Sequence, residues 1–324
     1  MSRKLLSYTA LGLILGNAAI ADVPKVAVDI APVHSLVSRV MEGVGSPKLI
    51  IPAGASPHEY SLRPSEAKSL QDADMVIWMG EDLAPWMENS IEKLAKNAEV
   101  ITLLEASETK LLDFREGALF EEHDHGDHDD HDDHKDHDDH DDHDDHDDHA
   151  GHDHGEHDPH AWLSIENAQT WLNLVAGKLS AADPENAGVY FGNAAAARSE
   201  IEELSKEVNS ILDPVRGRSF VVFHDAYQYF ETSFDFPASG AISLGDATDP
   251  SASRIAEIQG RVREEGINCV LSEPQYNPNL VETVLEGTDA KTGVIDPLGV
   301  NLEPGSKLYG DLIRNMAKSL AGCL

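Results

Sequence analysis

Asp74-Met-Val-Ile-Trp-Met79 (DMVIWM) is apolar at five consecutive positions and is stopped by Gly80. A strand wetted on one face alternates polar and apolar residues. An unbroken run of this length marks a strand covered on both faces, as in a parallel sheet. The neighbours agree. Upstream, Lys25–Ile30 (KVAVDI) and Lys48–Ile51 (KLII) read as strands around a helix over Ala31–Gly43. The loop PAGASPHEYSLRPSE follows, and its Arg63-Pro64 opens a helix to about Gln71, because Pro is favoured at a helix start. Downstream, Pro85–Lys96 is helical and Val100–Leu103 is a strand. Strand–helix alternation with short loops predicts an α/β domain.

The second half repeats this pattern without a residue-level repeat. Ser219–Phe223 (SFVVF), Ala238–Ser243, Asn268–Ser272 and Gly293–Ile295 read as strands. Ala226–Thr232, Ser251–Glu265, Asn279–Leu285 and Lys307–Leu320 read as helices. Between the halves lie a helix over Ser164–Leu179 and a second one that starts at Asp183-Pro184-Glu185 and runs to Leu212, where Asp213-Pro214 stops it. At roughly 1.5 Å per residue its about 29 residues span about 43 Å, enough to bridge two lobes. The expected fold class is therefore α/β, with two parallel-sheet lobes joined by one long helix. The expected divisions are a leader at 1–21, a lobe at 22–182, a linking helix at 183–213 and a second lobe at 214–324.

The leader is read from Ser2-Arg3-Lys4, the mostly apolar stretch Leu5–Ile20 and the small residues Ala19-Ile20-Ala21. This is the layout of a secretory signal peptide cut after Ala21. Ser7, Thr9 and Asn17 interrupt the apolar run, which makes it a poor membrane span. Export puts the mature chain in an oxidising compartment, where the even count of two cysteines, Cys269 and Cys323, favours a disulfide. Two reduced thiols or a thiolate metal site are the alternatives.

A tract inserted in the first half, 121–158, holds 13 of the 17 histidines, 20 Asp or Glu and a single Lys. His123 and His125 open it. His128, His131, His134, His137, His140, His143, His146, His149 and His152 continue at every third position, and His154 and His157 close it. The tract is too polar to bury a core and is expected to stay disordered. It carries −19 of the formal net charge of −35. The −16 that remains is still acidic and argues against nucleic acid as a partner. An acidic solvating loop needs only carboxylates, so the histidines point to divalent metal, zinc above all.

Ligands in open parallel sheets sit beyond the carboxyl ends of strands. His58 follows the second strand, His224 follows SFVVF, Glu273 follows NCVLS, Asp296 follows GVI, and His160 stands at the far end of the tract in DPHAW. Three imidazoles and a carboxylate in a cleft between lobes would suit tetrahedral zinc, and manganese less well. Each has a plainer reading: surface or capping His, a hinge or N-cap carboxylate at Glu273, an Asx turn at Asp296. His34 reads as a surface residue or one standing behind the metal ligands, and Trp78, Trp86, Trp162 and Trp171 as packing.

GASPHEYSLRPSE, DPHAWLS, VVFHDAYQYF, CVLSEPQYNP and IDPLG together resemble the periplasmic zinc-binding protein of the high-affinity zinc uptake ABC transporter (ZnuA type). The resemblance covers essentially the whole mature chain, in order, including the His-rich insertion and both cysteines. It implies two α/β lobes on one rigid long helix, a Zn²⁺ cargo, ligands at His58, His160 and His224, a Cys269–Cys323 pair, and a membrane permease as partner. In the wider receptor family the position of Asp296 often supplies a carboxylate ligand. Manganese receptors commonly have a carboxylate where this chain has His224. Some zinc receptors place a Glu just before the first His; here that position is Pro57 and the acid is Glu59. The fourth ligand is thus left among Asp296, which is favoured, water, Glu59 and a tract histidine. The expected function is an extracytoplasmic receptor, a monomer and not an enzyme. The tract would serve as an auxiliary zinc collector or sensor. A zinc hydrolase would need Glu273 or Glu59 as base, and no HExxH motif is present. A zinc store, or a manganese receptor, is the remaining alternative.

Overall fold

The structure is a computed structural model, and it describes residues 23–115, 120, 157–243, 250–276 and 278–324. The leader and the tract histidines from His123 to His154 lie outside the described residues. Among the described residues no helix is long and apolar enough to cross a membrane.

The first sheet contains β1 (Val26–Val28), β2 (Lys48–Leu49), β3 (Met75–Trp78) and β4 (Glu99–Thr102), all parallel in the order β2-β1-β3-β4. α1 (Ala31–Val40), α2 (Pro64–Gln71) and α3 (Pro85–Leu94) connect them. Every residue of β3 is buried, as its unbroken apolar run requires. Gly80 ends the strand at φ 141°, where a Cβ would also meet the Thr102 side chain at 3.1 Å.

The second sheet repeats the topology. β5 (Phe220–His224), β6 (Ala241–Ser243), β7 (Cys269–Ser272) and β8 (Lys291–Val294) lie parallel in the order β6-β5-β7-β8, with α6 (Gln228–Phe234), α7 (Ala252–Glu264) and α8 (Pro278–Leu285) between them. Along β5, Phe220 and Val222 join the main core, while Val221 and Phe223 join a smaller cluster with Ile258 and Val262 of α7. The period of two thus serves two apolar faces.

Between the sheets run α4 (Ile165–Ala182), whose N-cap Ser164 accepts a hydrogen bond from Asn167 N at 3.2 Å, and α5 (Ala187–Leu212). A 3₁₀ turn over Pro184–Asn186 takes the first residues of the expected long helix, which leaves α5 with 26. α5 packs on α4, α1 and the last helix, α9 (Leu308–Cys323). α9 does not stay with the second sheet. It also packs on α1, where Tyr309 N donates to Ser35 Oγ at 2.9 Å. Cys323 at its end is bonded to Cys269 at the start of β7, with Cα atoms 5.8 Å apart.

Candidate metal site

In each sheet the strand order reverses beside the first strand, between β1 and β3 and between β5 and β7. The crevice at such a switch point is where open α/β sheets bind ligands. His224 ends β5 and Glu273 follows β7, so the second sheet presents both at its switch point.

His58 sits in the loop after β2, which is pinned from several sides. Trp86 Nε1 donates to Pro57 O at 2.8 Å, and Tyr60 OH donates to the Glu66 carboxylate at 2.9 Å. Glu66 also accepts from Arg63 N at 2.7 Å, closing the start of α2. His160 is set by a short antiparallel contact at the root of the insertion. Asp113 bridges His157, and Asp158 N donates to Leu112 O at 2.8 Å. Asp158 then folds back on the histidine, accepting from its backbone N at 3.0 Å and from Nδ1 at 2.7 Å. His224 Nδ1 donates to Glu273 Oε1 at 2.6 Å, with both residues buried. A carboxylate on Nδ1 fixes the tautomer and leaves Nε2 as the basic, ligating nitrogen.

The three rings converge. His58 and His160 have centroids 5.5 Å apart, and His160 and His224 5.3 Å. Imidazoles held tetrahedrally on one zinc through Zn–N bonds of roughly 2.0–2.1 Å would place their centroids about 5 Å apart. The cavity between them has a volume of about 10 Å³ and is also walled by Trp162, Glu273, Gln275 and Tyr276. The rings are gathered rather than closed on one point: among the described residues no group of three His, Cys, Asp or Glu is already set to hold an ion.

The surroundings are negative. Burial pushes the Asp158 carboxyl up to about 7, against the opposing pull of the His160 backbone N–H, Arg115 and the two other histidines. Arg115 forks between Asp225 and Glu231, meeting Asp225 Oδ2 at 3.0 Å and Glu231 Oε2 at 2.8 Å. Burial raises both carboxyls, and the guanidinium opposes the rise. Carboxylates behind neutral ligands draw a cation without themselves occupying its coordination sphere.

A family model described as "Zinc-uptake complex component A periplasmic" matches residues 26–323. The chain belongs to the ZnuA family. Among curated ZnuA proteins it is 47% identical to the "High-affinity zinc uptake system protein ZnuA" of Paracoccus denitrificans over 322 residues, 98% of each chain. The Haemophilus influenzae protein of the same name is 34% identical over 340 residues, 99% of each. Of solved structures, a "Crystal structure of ZnuA" superposes with a TM-score of 0.72 at 19% identity, covering 93% of this chain and 99% of that one. The Pseudomonas aeruginosa protein FpvC in complex with Mn²⁺ gives 0.73 at 19%, covering 93% and 98%. At that identity the structures share the fold alone.

As a ZnuA-family chain, it gathers His58, His160 and His224 around one cavity, with Glu273 on the same wall. The Asp296 carboxylate organises its own loop in an Asx-type turn, accepting from Leu298 N (3.1 Å), Gly299 N (2.9 Å) and Val300 N (2.7 Å). Glu59 is exposed and absent from the cavity wall. Glu273 stands on the cavity wall itself, and its Oε1 accepts from His224 Nδ1 at 2.6 Å. His157, the described tract residue, faces Asp113 at 2.9 Å rather than the cavity. His34 is neither a surface residue nor near the site: it is buried in α1, with Nε2 donating to Pro47 O at 3.3 Å. Asp158 and Gln275 escaped the sequence reading. The Asx-Pro-His spacing of Asp158 was the only signal for either.

Proposed function

We propose that this chain captures Zn²⁺ in the periplasm through His58, His160 and His224 and passes it to the membrane permease of a zinc ABC importer. The observation that supports the reading most is the spacing of the three rings, 5.5 and 5.3 Å, around one small cavity. The metal is cargo, not a cofactor. The proposed arrangement has a lobe at 22–182, a linker at 183–213 and a second lobe at 214–324, following cleavage after Ala21. Because neutral imidazoles bind the ion, its affinity falls as acid protonates them. Hydrolytic chemistry lacks a base: Glu59 is exposed, and Glu273 is bonded to His224. The relatives' shared name, "High-affinity zinc uptake system protein", supports the same reading.

The tract acts separately, as an auxiliary zinc collector or sensor with many weak sites. The test is a calorimetric titration of metal-stripped protein with Zn²⁺ and then Mn²⁺, beside a version lacking 121–156 and a His160→Ala variant. One tight zinc site should survive the deletion, resist manganese and disappear with His160→Ala. Loss of the tight site on deletion would move the function into the tract.

A further inference from the structure

Around the cavity, the sequence Glu273-Pro274-Gln275-Tyr276 forms a tight turn, with Tyr276 N donating to Glu273 O at 3.3 Å. Pro274 takes the position where a fixed φ suits a turn. The first residue of the turn fixes His224, and the third, Gln275, stands on the cavity wall. Both amide atoms of Gln275, Oε1 and Nε2, are shut off from solvent, and neither has a hydrogen-bond partner among the described residues. An orphaned buried polar group costs roughly 1–3 kcal/mol, so native proteins seldom leave a whole amide in this state without a use for it. Elsewhere on the wall, Ser56 Oγ accepts from His58 N at 3.3 Å, and Trp162 Nε1 donates to Pro297 O at 2.9 Å.

We propose that Gln275 supplies the fourth contact to zinc, its Oε1 completing a tetrahedron with the three imidazoles. This rests on the three-histidine reading above. A cavity of about 10 Å³ admits about one water-sized particle. The ion takes that space, and the amide oxygen on the wall binds it directly. The Nε2 group then lies on the same turn as Glu273, whose buried Oε2 can accept from it. One side-chain turn would satisfy the amide, orient the carboxylate and close the coordination sphere. It would also explain how the site works with Asp296 and Glu59 turned away.

The test uses the full chain, stripped of metal, with Gln275→Leu and Gln275→Glu. Zinc affinity is read by competition with a chromogenic chelator, geometry by the visible bands of the Co²⁺-loaded protein, and folding by the melting temperature without metal. Gln275→Leu should weaken zinc by roughly tenfold or more and change the cobalt bands, while the metal-free melting temperature holds or rises. Gln275→Glu should keep the cobalt bands tetrahedral and improve Mn²⁺ binding relative to Zn²⁺, because a carboxylate is a harder donor. Should the leucine variant fail to fold, the glutamate variant decides: unchanged Mn²⁺ selectivity overturns the proposal. Zinc affinity within twofold of the parent and unchanged cobalt bands in Gln275→Leu would also overturn it, while loss of the tight site in His160→Ala would keep the three-histidine reading intact. Survival of the tight site in His160→Ala would overturn both.

Discussion

Glu273→Gln separates a carboxylate that tunes the ion from one that merely holds the fold. Glu273 Oε1 lies 2.6 Å from His224 Nδ1. Adding the width of an imidazole and a Zn–N bond of roughly 2 Å places the carboxylate about 6 Å from the metal. At an effective dielectric of about 20, a carboxylate and a divalent ion at that separation attract by about 5 kcal/mol, which is a ceiling. Glutamine keeps the shape and an accepting oxygen, so the measured loss should follow that of other residues behind a metal ligand: 10–100-fold in affinity, or about 1.4–2.7 kcal/mol. The effect on the metal-free protein should have the opposite sign or be absent, because a buried carboxylate is costly and an amide is not. Chelator competition measures the first quantity, and urea denaturation without metal the second. Zinc affinity within twofold of the parent would refute the idea that Glu273 acts on the ion through His224.

Three further outcomes follow from the packing. The Cys269–Cys323 bond closes a loop with a sequence separation of 54, so Cys269→Ser with Cys323→Ser should cost about 4 kcal/mol of stability. Zinc affinity should hardly move, since Cys269 starts β7 and the site lies past its other end. Arg115→Met leaves Asp225 and Glu231 buried without their cation, and a fall of about 3–5 kcal/mol is expected in metal-free denaturation at neutral pH. For His34, burial depresses the folded-state pKa below the ordinary histidine value of about 6.5. Between that depressed value and 6.5 the unfolded chain binds the proton and the folded chain refuses it, so stability is present above 6.5 and is lost as pH falls. His34→Gln should narrow the gap between urea midpoints at pH 7.5 and 5.5.

What the sequence made legible was whatever depends on local pattern. The apolar run at Met75–Met79, the Pro-opened helices and the strand-end histidines needed only periodicity and the switch-point rule, and the structure brings His58, His160 and His224 together. What it hid depends on where a side chain points. Asp296, Glu59 and Glu273 all sit beside strand ends or a ligand histidine in the sequence, but one caps its own loop, one faces solvent and one backs a histidine. No pattern in a single sequence separates those three fates. Gln275 was hidden for a different reason: an amide carries no charge and belongs to no common metal motif, and only its burial without a partner brings it forward.

The same placement of charge bears on selectivity. Ligation by Asp296 or Glu59 would offer oxygen donors that manganese and magnesium accept readily; the proposed three-histidine site does not use them. Instead Asp158 and Glu273 stand behind His160 and His224 at 2.7 and 2.6 Å, each adding negative charge through a ring. In the proposed site the cation would be compensated as by carboxylate ligands, while the donors it meets would stay mostly nitrogen. That combination favours zinc over the harder ions. Moving a carboxylate forward should weaken the preference, even where total charge is unchanged.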